Sequence, residues 1–183
     1  MDKLQNLRQK LADKDLDALM IASPINRRYI SGFTGTAGIV LVSQEEAHLI
    51  TDFRYTEQAE AQAENFKIIE HKESIEKEIN TQLKLMKVKR IGFEKDYTTY
   101  TKFENYKKIF EAELVPVSGL IESLRIIKSE EELAIMKKAA EIADEAFHHI
   151  QSYIKPGVKE IEIANELEFF MRRKGATSSS FDT

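Results

Sequence analysis

The sequence predicts an α/β domain built on a mixed sheet, followed by the first two helices of a second, incomplete domain. Three observations predict it. Short apolar runs alternate with helix-period segments as far as Val117; two neighbouring runs are joined by a polar link of hairpin length; and the pattern changes at Ile126-Ile127-Lys128-Ser129 into a long amphipathic helix. Strands separated by helices pair in parallel through crossovers, and a hairpin adds an antiparallel pair, so the sheet is mixed.

Leu4, Leu7 and Leu11 share one helical face between Asp2 and Ala12, and Asp17–Ala22 follows as a strand that stops at Pro24. Gly38–Val42 and Ala47–Thr51 are strands linked by Ser43-Gln44-Glu45-Glu46. A helix over Phe53–Glu64, a strand over Phe66–Glu70 and a helix over Ile75–Lys87 come next. Strand Arg90–Glu94, helix Thr98–Phe110 and strand Glu113–Val117 repeat the pattern, and Gly119–Arg125 closes the domain as a short helix. Ser129 with Glu132 forms a capping box, worth about 1 kcal/mol at the cap, and opens the longest periodic run. Its face is Leu133, Met136, Ala140, Ala143, Phe147, Ile150 and Ile154, and it ends at Pro156-Gly157. A second helix, Lys159–Lys174, carries acids in its first turn and bases in its last, with Gly175 at its C-terminal cap. These readings divide the chain into domains 1–127 and 128–183.

Composition excludes several functions. A chain of 183 residues holds one domain of about 100–150 residues and part of another. Its 27 basic and 31 acidic residues are interspersed and give a net charge of −4, which offers no basic stripe for a phosphate backbone, so no nucleic-acid partner is expected. No run of about 18 apolar residues suggests a membrane helix, and the N-terminus does not read as a secretory signal. The absence of cysteine removes thiolate chemistry and suits a reducing, cytoplasmic compartment.

Ser31-Gly32-Phe33-Thr34-Gly35-Thr36-Ala37-Gly38 is rich in glycine but is not a phosphate loop, because Gly38 leads into a strand rather than a helix. It reads either as a flexible connector between a short helix and a strand, or as a loop that reaches a substrate or a neighbouring subunit. Glu145, His148 and His149 lie close on one helix, yet a metal site needs further ligands from other elements, and surface pairing is the simpler reading. Asp52 reads as the cap of a helix starting at Phe53 or Arg54, with Arg54 near enough to pair with it; a substrate role is the alternative.

Asn26-Arg27-Arg28-Tyr29-Ile30-Ser31-Gly32-Phe33-Thr34-Gly35 and Thr51-Asp52-Phe53-Arg54-Tyr55, in that order, resemble the N-terminal domain of the prolidase, aminopeptidase P and creatinase family. Leu124–Ser129 with Glu131 and Leu133 is similar to the family's interdomain junction. Ile154-Lys155-Pro156-Gly157, Gly175-Ala176 and Phe181-Asp182-Thr183 resemble the opening of its α+β pita-bread catalytic domain. The resemblance implies a ribonuclease-H-like first domain and a parent hydrolase acting on proline-containing peptides with two divalent metal ions, manganese, cobalt or zinc. It also implies that the ligands follow the Phe-Asp-Thr segment, that Asp182 is not one of them, and that this chain binds no metal pair itself. Dimerisation through the first domain, which overhangs the partner's active site, is a further implication. By the same resemblance Tyr29, Phe33, Thr34 and Thr36 edge a neighbouring active site, while Asp52, Arg54 and Tyr55 support the fold. A complete, non-catalytic dimerisation or binding module of the same fold remains the competing expectation.

Overall fold

The computed structural model describes residues 2–181, so Asp182 and Thr183, the end of the Phe-Asp-Thr segment, lie outside the described residues. The chain separates into two compact units, Met1–Ile127 and Lys128–Thr183.

In the first unit the elements are α1 (Lys3–Asp13), β1 (Ala18–Ile21), α2 (Pro24–Ser31), β2 (Ile39–Ser43), β3 (Ala47–Thr51), α3 (Thr56–Gln62), β4 (Lys67–Glu70), α4 (Ile75–Leu85), β5 (Arg90–Glu94), α5 (Tyr100–Ile109), β6 (Glu113–Val117) and α6 (Leu120–Arg125). The strands form one sheet in the order β4-β3-β2-β1-β5-β6. The pairs β1–β2 and β2–β3 are antiparallel, with Leu19 opposite Val42 and Leu41 opposite His48; β3–β4, β1–β5 and β5–β6 are parallel.

Side chains of a strand alternate between its faces, and the central strands are apolar on both. Leu19 and Ile21 join Val40, Val42 and Leu49 beneath α1, α2, α3 and α6, whereas Ala18, Met20, Leu41 and Ile50 pack with Ile79, Leu83 and Tyr106 of α4 and α5. Helices therefore cover both faces of the sheet. Pro116 stands in β6, an edge strand, where its missing N–H deprives no outer neighbour.

The main difference from the sequence reading lies at α3. The helix begins at Thr56, not at Phe53 or Arg54, and its N-terminal flank is Tyr55, which makes no side-chain cap bond. Asp52 is thus not a helix cap. Its carboxylate accepts instead from the Arg54 backbone N at 3.1 Å and from Arg54 Nε and Nη2 at 2.8 Å each. A bidentate guanidinium two residues away outcompetes a distant helix end, and the backbone closes a turn with Tyr55 N donating to Asp52 O at 3.0 Å.

The second unit contains α7 (Glu130–Ile150) and α8 (Glu160–Arg173). Ser129 caps α7 with the full capping box, its N–H reaching Glu132 at 2.9 Å. The helix ends at Ile150, so Ile154 lies beyond it and beyond the turn at 151–153. Ile142, Ala146 and Ile150 are buried, while Leu133, Met136 and Phe147 of the expected apolar face, and Ile154 beyond it, remain exposed. Glu145 and His149 do not share a partner. Lys174 pairs with Glu145 at 2.6 Å, and His149 Nε2 lies 2.7 Å from Glu166 with its ring stacked on Phe170.

Candidate functional site

The glycine-rich segment between α2 and β2 is tethered along its whole length, which replaces the expectation of a flexible connector. Residues outside helices and strands must still satisfy their carbonyls. Here Arg27, itself buried on α2, donates from Nη1 to Gly38 O and from Nη2 to Gly35 O, both at 2.7 Å. Thr51 Oγ1 of β3 donates to Ala37 O at 2.8 Å. Gln62 of α3 accepts from Thr34 N at 3.0 Å, and Gln58 donates to Thr34 Oγ1 at 2.9 Å. The hydroxyls of Thr36 and Tyr55 are 2.7 Å apart. Gly32 ends α2 with φ 79°, in the left-handed region where glycine carries no Cβ penalty.

Phe33 is fully buried under this loop. Its ring meets Tyr55 edge-on at 6.0 Å and lies 5.8 Å from the Arg27 guanidinium carbon, within cation–π range. Burial lowers the Arg27 pKa from its ordinary value, and nearby Tyr97 and Glu94 oppose that shift.

The residues singled out from the sequence fall into three groups. Thr34 and Thr36 are exposed on the loop and form its rim. Phe33 turns inward and supports that rim from beneath, a place from which it cannot edge a neighbouring site. Tyr29 is separate from the loop: its hydroxyl donates to Leu124 O at 3.1 Å, and Lys3 Nζ sits 4.1 Å from its ring centroid. Asp52, Arg54 and Tyr55 are together at the turn before α3, where Arg54 keeps 60% of its side chain exposed and Phe53 is exposed beside it.

Sequence reading missed Arg27, Thr51, Gln58 and Gln62 as holders of the loop. Gln58 and Gln62 stand four residues apart on α3, a spacing that places two amides on one helix face, and that was the available signal.

The hydrogen bonds from the Arg54 side chain hold the Asp52 carboxyl down from 3.8 to about 2, with His71 adding a small effect of the same sign. A depressed folded-state pKa means that the pair's contribution is present above the ordinary carboxylate value and is lost as pH falls towards about 2. A carbon-13 titration of the Asp52 carboxyl is therefore expected to show a midpoint near 2, and Arg54→Met to return it towards 3.8. A wild-type midpoint already at 3.8 would mean that the pair does not form in solution.

The described residues do not fit a metal pair, because no group of three or more His, Asp or Glu side chains among them stands close enough to hold an ion. No helix among them is long and apolar enough to cross a membrane. What the site offers is a fixed loop with two exposed threonines, their hydroxyls bonded to Gln58, Gln62 and Tyr55, and an exposed arginine at the turn before α3.

An α/β layer followed by a helical pair makes this a chain of two units, a mixed-sheet domain and the helices after it. Residues 3–127 match the Creatinase/Prolidase N-terminal domain family and residues 134–183 match Metallopeptidase family M24. The chain belongs to the creatinase/prolidase N-terminal domain family. It is similar to a peptidase of Bacillus subtilis, with 48% identity over 181 residues covering 98% of this chain and 51% of the relative. A Xaa-Pro dipeptidase of Pyrococcus furiosus is 31% identical over 188 residues, covering 100% and 51%. Among solved structures, a Xaa-Pro dipeptidase from Bacillus anthracis superposes with a TM-score of 0.97 at 49% identity, covering 100% of this chain and 51% of that one. The chain spans about half the length of the curated relatives it matches.

Proposed function

We propose that this chain is the N-terminal portion of a metal-dependent Xaa-Pro dipeptidase or aminopeptidase, which hydrolyses the bond before proline in the cytoplasm. The observation that carries the reading is the order of the two family segments, covering this chain almost entirely and half of its relatives. Residues 1–127 belong to the first domain, and 128–183 open the catalytic domain. In this reading α7 and α8 bring exposed apolar residues, Leu133, Met136, Phe147, Ile161 and Phe169, that the rest of the catalytic domain covers.

The metals, manganese, cobalt or zinc, would lower the pKa of a bound water and polarise the scissile carbonyl. No catalytic step is assigned to residues of this chain, since none of the described ones fits the pair. The role of the first domain is dimerisation, with the loop rim at Thr34 and Thr36 placed over the partner's active site. The tethers from Arg27, Gln58, Gln62 and Tyr55 favour this, because a rim that positions a substrate must be held in one geometry.

Assays of the 183-residue chain and of the full reading frame, side by side on Xaa-Pro dipeptides and Xaa-Pro-Xaa peptides with each metal, test the proposal. The longer protein is expected to release proline or the residue before it, and the shorter chain to be inactive. Turnover by the short chain would place a catalytic site within it. Silence from the long protein with every metal would favour a non-catalytic binding module.

A further inference from the structure

A cavity of about 270 Å³ opens at the carboxyl ends of β1, β5 and β6, away from the glycine-rich loop. Its position follows from topology. From β1 the chain leaves through α2 towards β2, and from β5 it leaves through α5 towards β6, so the connections of two adjacent parallel strands diverge to opposite sides. Open α/β sheets hold ligands in the crevice that such a divergence creates.

One wall of the crevice is built and closed. The Glu94 carboxylate, at the end of β5, accepts from Ala22 N at 2.7 Å, Ser23 N at 2.8 Å, Ser23 Oγ at 3.0 Å and Asn26 Nδ2 at 2.7 Å. It is saturated by these four donors, so it locks the β1–α2 turn and has no capacity left for a ligand. Buried Asn26 carries the network outward, donating to Glu122 at 2.6 Å and accepting from Arg125 Nη1 at 3.1 Å. One amide thus holds a carboxylate and a guanidinium side by side at the mouth. Asp96, bonded by the Ser118 hydroxyl, adds a second carboxylate on the β5 side, and the surface between these groups is mostly apolar, with exposed Ile25 and Tyr97 in its lining.

We propose that this crevice binds a free α-amino acid with an apolar side chain. The ammonium group goes to Asp96 and Glu122, the carboxylate to the guanidinium edge that Arg125 does not spend on Asn26, and the side chain to the apolar wall. Two carboxylates, each accepting one bond from the wall and keeping further lone pairs, face one guanidinium and call for a cation, and an arginine fork suits a carboxylate, so a zwitterion matches both. The volume sits just below the span of about 300–1,000 Å³ typical of larger ligands, which limits the guest to amino-acid size. The site is separate from the loop rim and does not depend on the peptidase reading.

Titration of leucine into the 183-residue chain, followed by calorimetry and by amide shifts, tests the proposal. Leucine is expected to bind with a dissociation constant of about 1 mM or tighter. N-acetyl-leucine and leucinamide, each lacking one charge, are expected to bind about tenfold more weakly, as are Asp96→Asn and Arg125→Gln. The shifts should fall at Ser23, Asn26, Asp96, Ser118 and Glu122. Asp96 is exposed, so its variant keeps the test decisive if Arg125→Gln disturbs the fold. No saturable leucine binding in the millimolar range, equal binding of the blocked analogues, an unaffected Asp96→Asn, or shifts elsewhere would each overturn it.

Discussion

Arg27→Met is expected to destabilise the first unit by about 3–6 kcal/mol, since two charge-assisted hydrogen bonds to main-chain carbonyls, at about 1.5–3 kcal/mol each, are lost together. Methionine retains much of the aliphatic volume, so the effect isolates the polar contacts rather than a cavity. Gly35 O and Gly38 O would be left without the donor that joins α2 to the loop. Arg27→Lys should recover less than half of the loss, because an ammonium on a flexible stem cannot reproduce a planar fork that serves two acceptors. Chemical denaturation monitored by circular dichroism gives the free energies. A loss below about 1 kcal/mol, the size of an ordinary substitution, would mean that water replaces the guanidinium and that the loop does not need its tether.

The contrast between Arg27 and its neighbours explains what could be read in the sequence. The layered α/β fold was legible because β1, β2 and β3 alternate between two apolar faces and because the helices between parallel strands keep a helical period; these are local signals. The capping box at Ser129 was legible for the same reason, since donor and acceptor lie three residues apart. Long-range polar contacts were not. Glu94 meets Ser23 and Asn26 across about seventy positions, and nothing near either end announces the pairing. Arginine is an ordinary surface residue, so the burial of Arg27 could be inferred only by asking which donor serves the carbonyls of a loop outside the sheet. Asp52 shows a different failure. Its sequence context permitted two local partners, a helix end and Arg54, and the bidentate ion pair prevailed.

Phe33 was legible as a residue of the loop but not as one of its supports, and the second large effect is expected there. Phe33→Ala should cost about 3–5 kcal/mol, the usual loss for truncating a buried phenylalanine, as transfer and cavity terms add. The environment gives little scope for collapse. Gly35 passes so close over the ring that a Cβ there would collide with it, and Gly38, Tyr55 and Arg27 surround the remaining sides. Removing the ring would also free the backbone that carries Thr34 and Thr36, so their amides should lose hydrogen-exchange protection more than those of α4 and α5 on the other face of the sheet. In the full-length protein the variant's activity should then fall through loss of loop order, and Phe33→Leu, which refills most of the volume, should restore much of the stability and activity together. A Phe33→Ala protein of unchanged stability with altered substrate preference would contradict the buried position and return Phe33 to the rim of a neighbouring site.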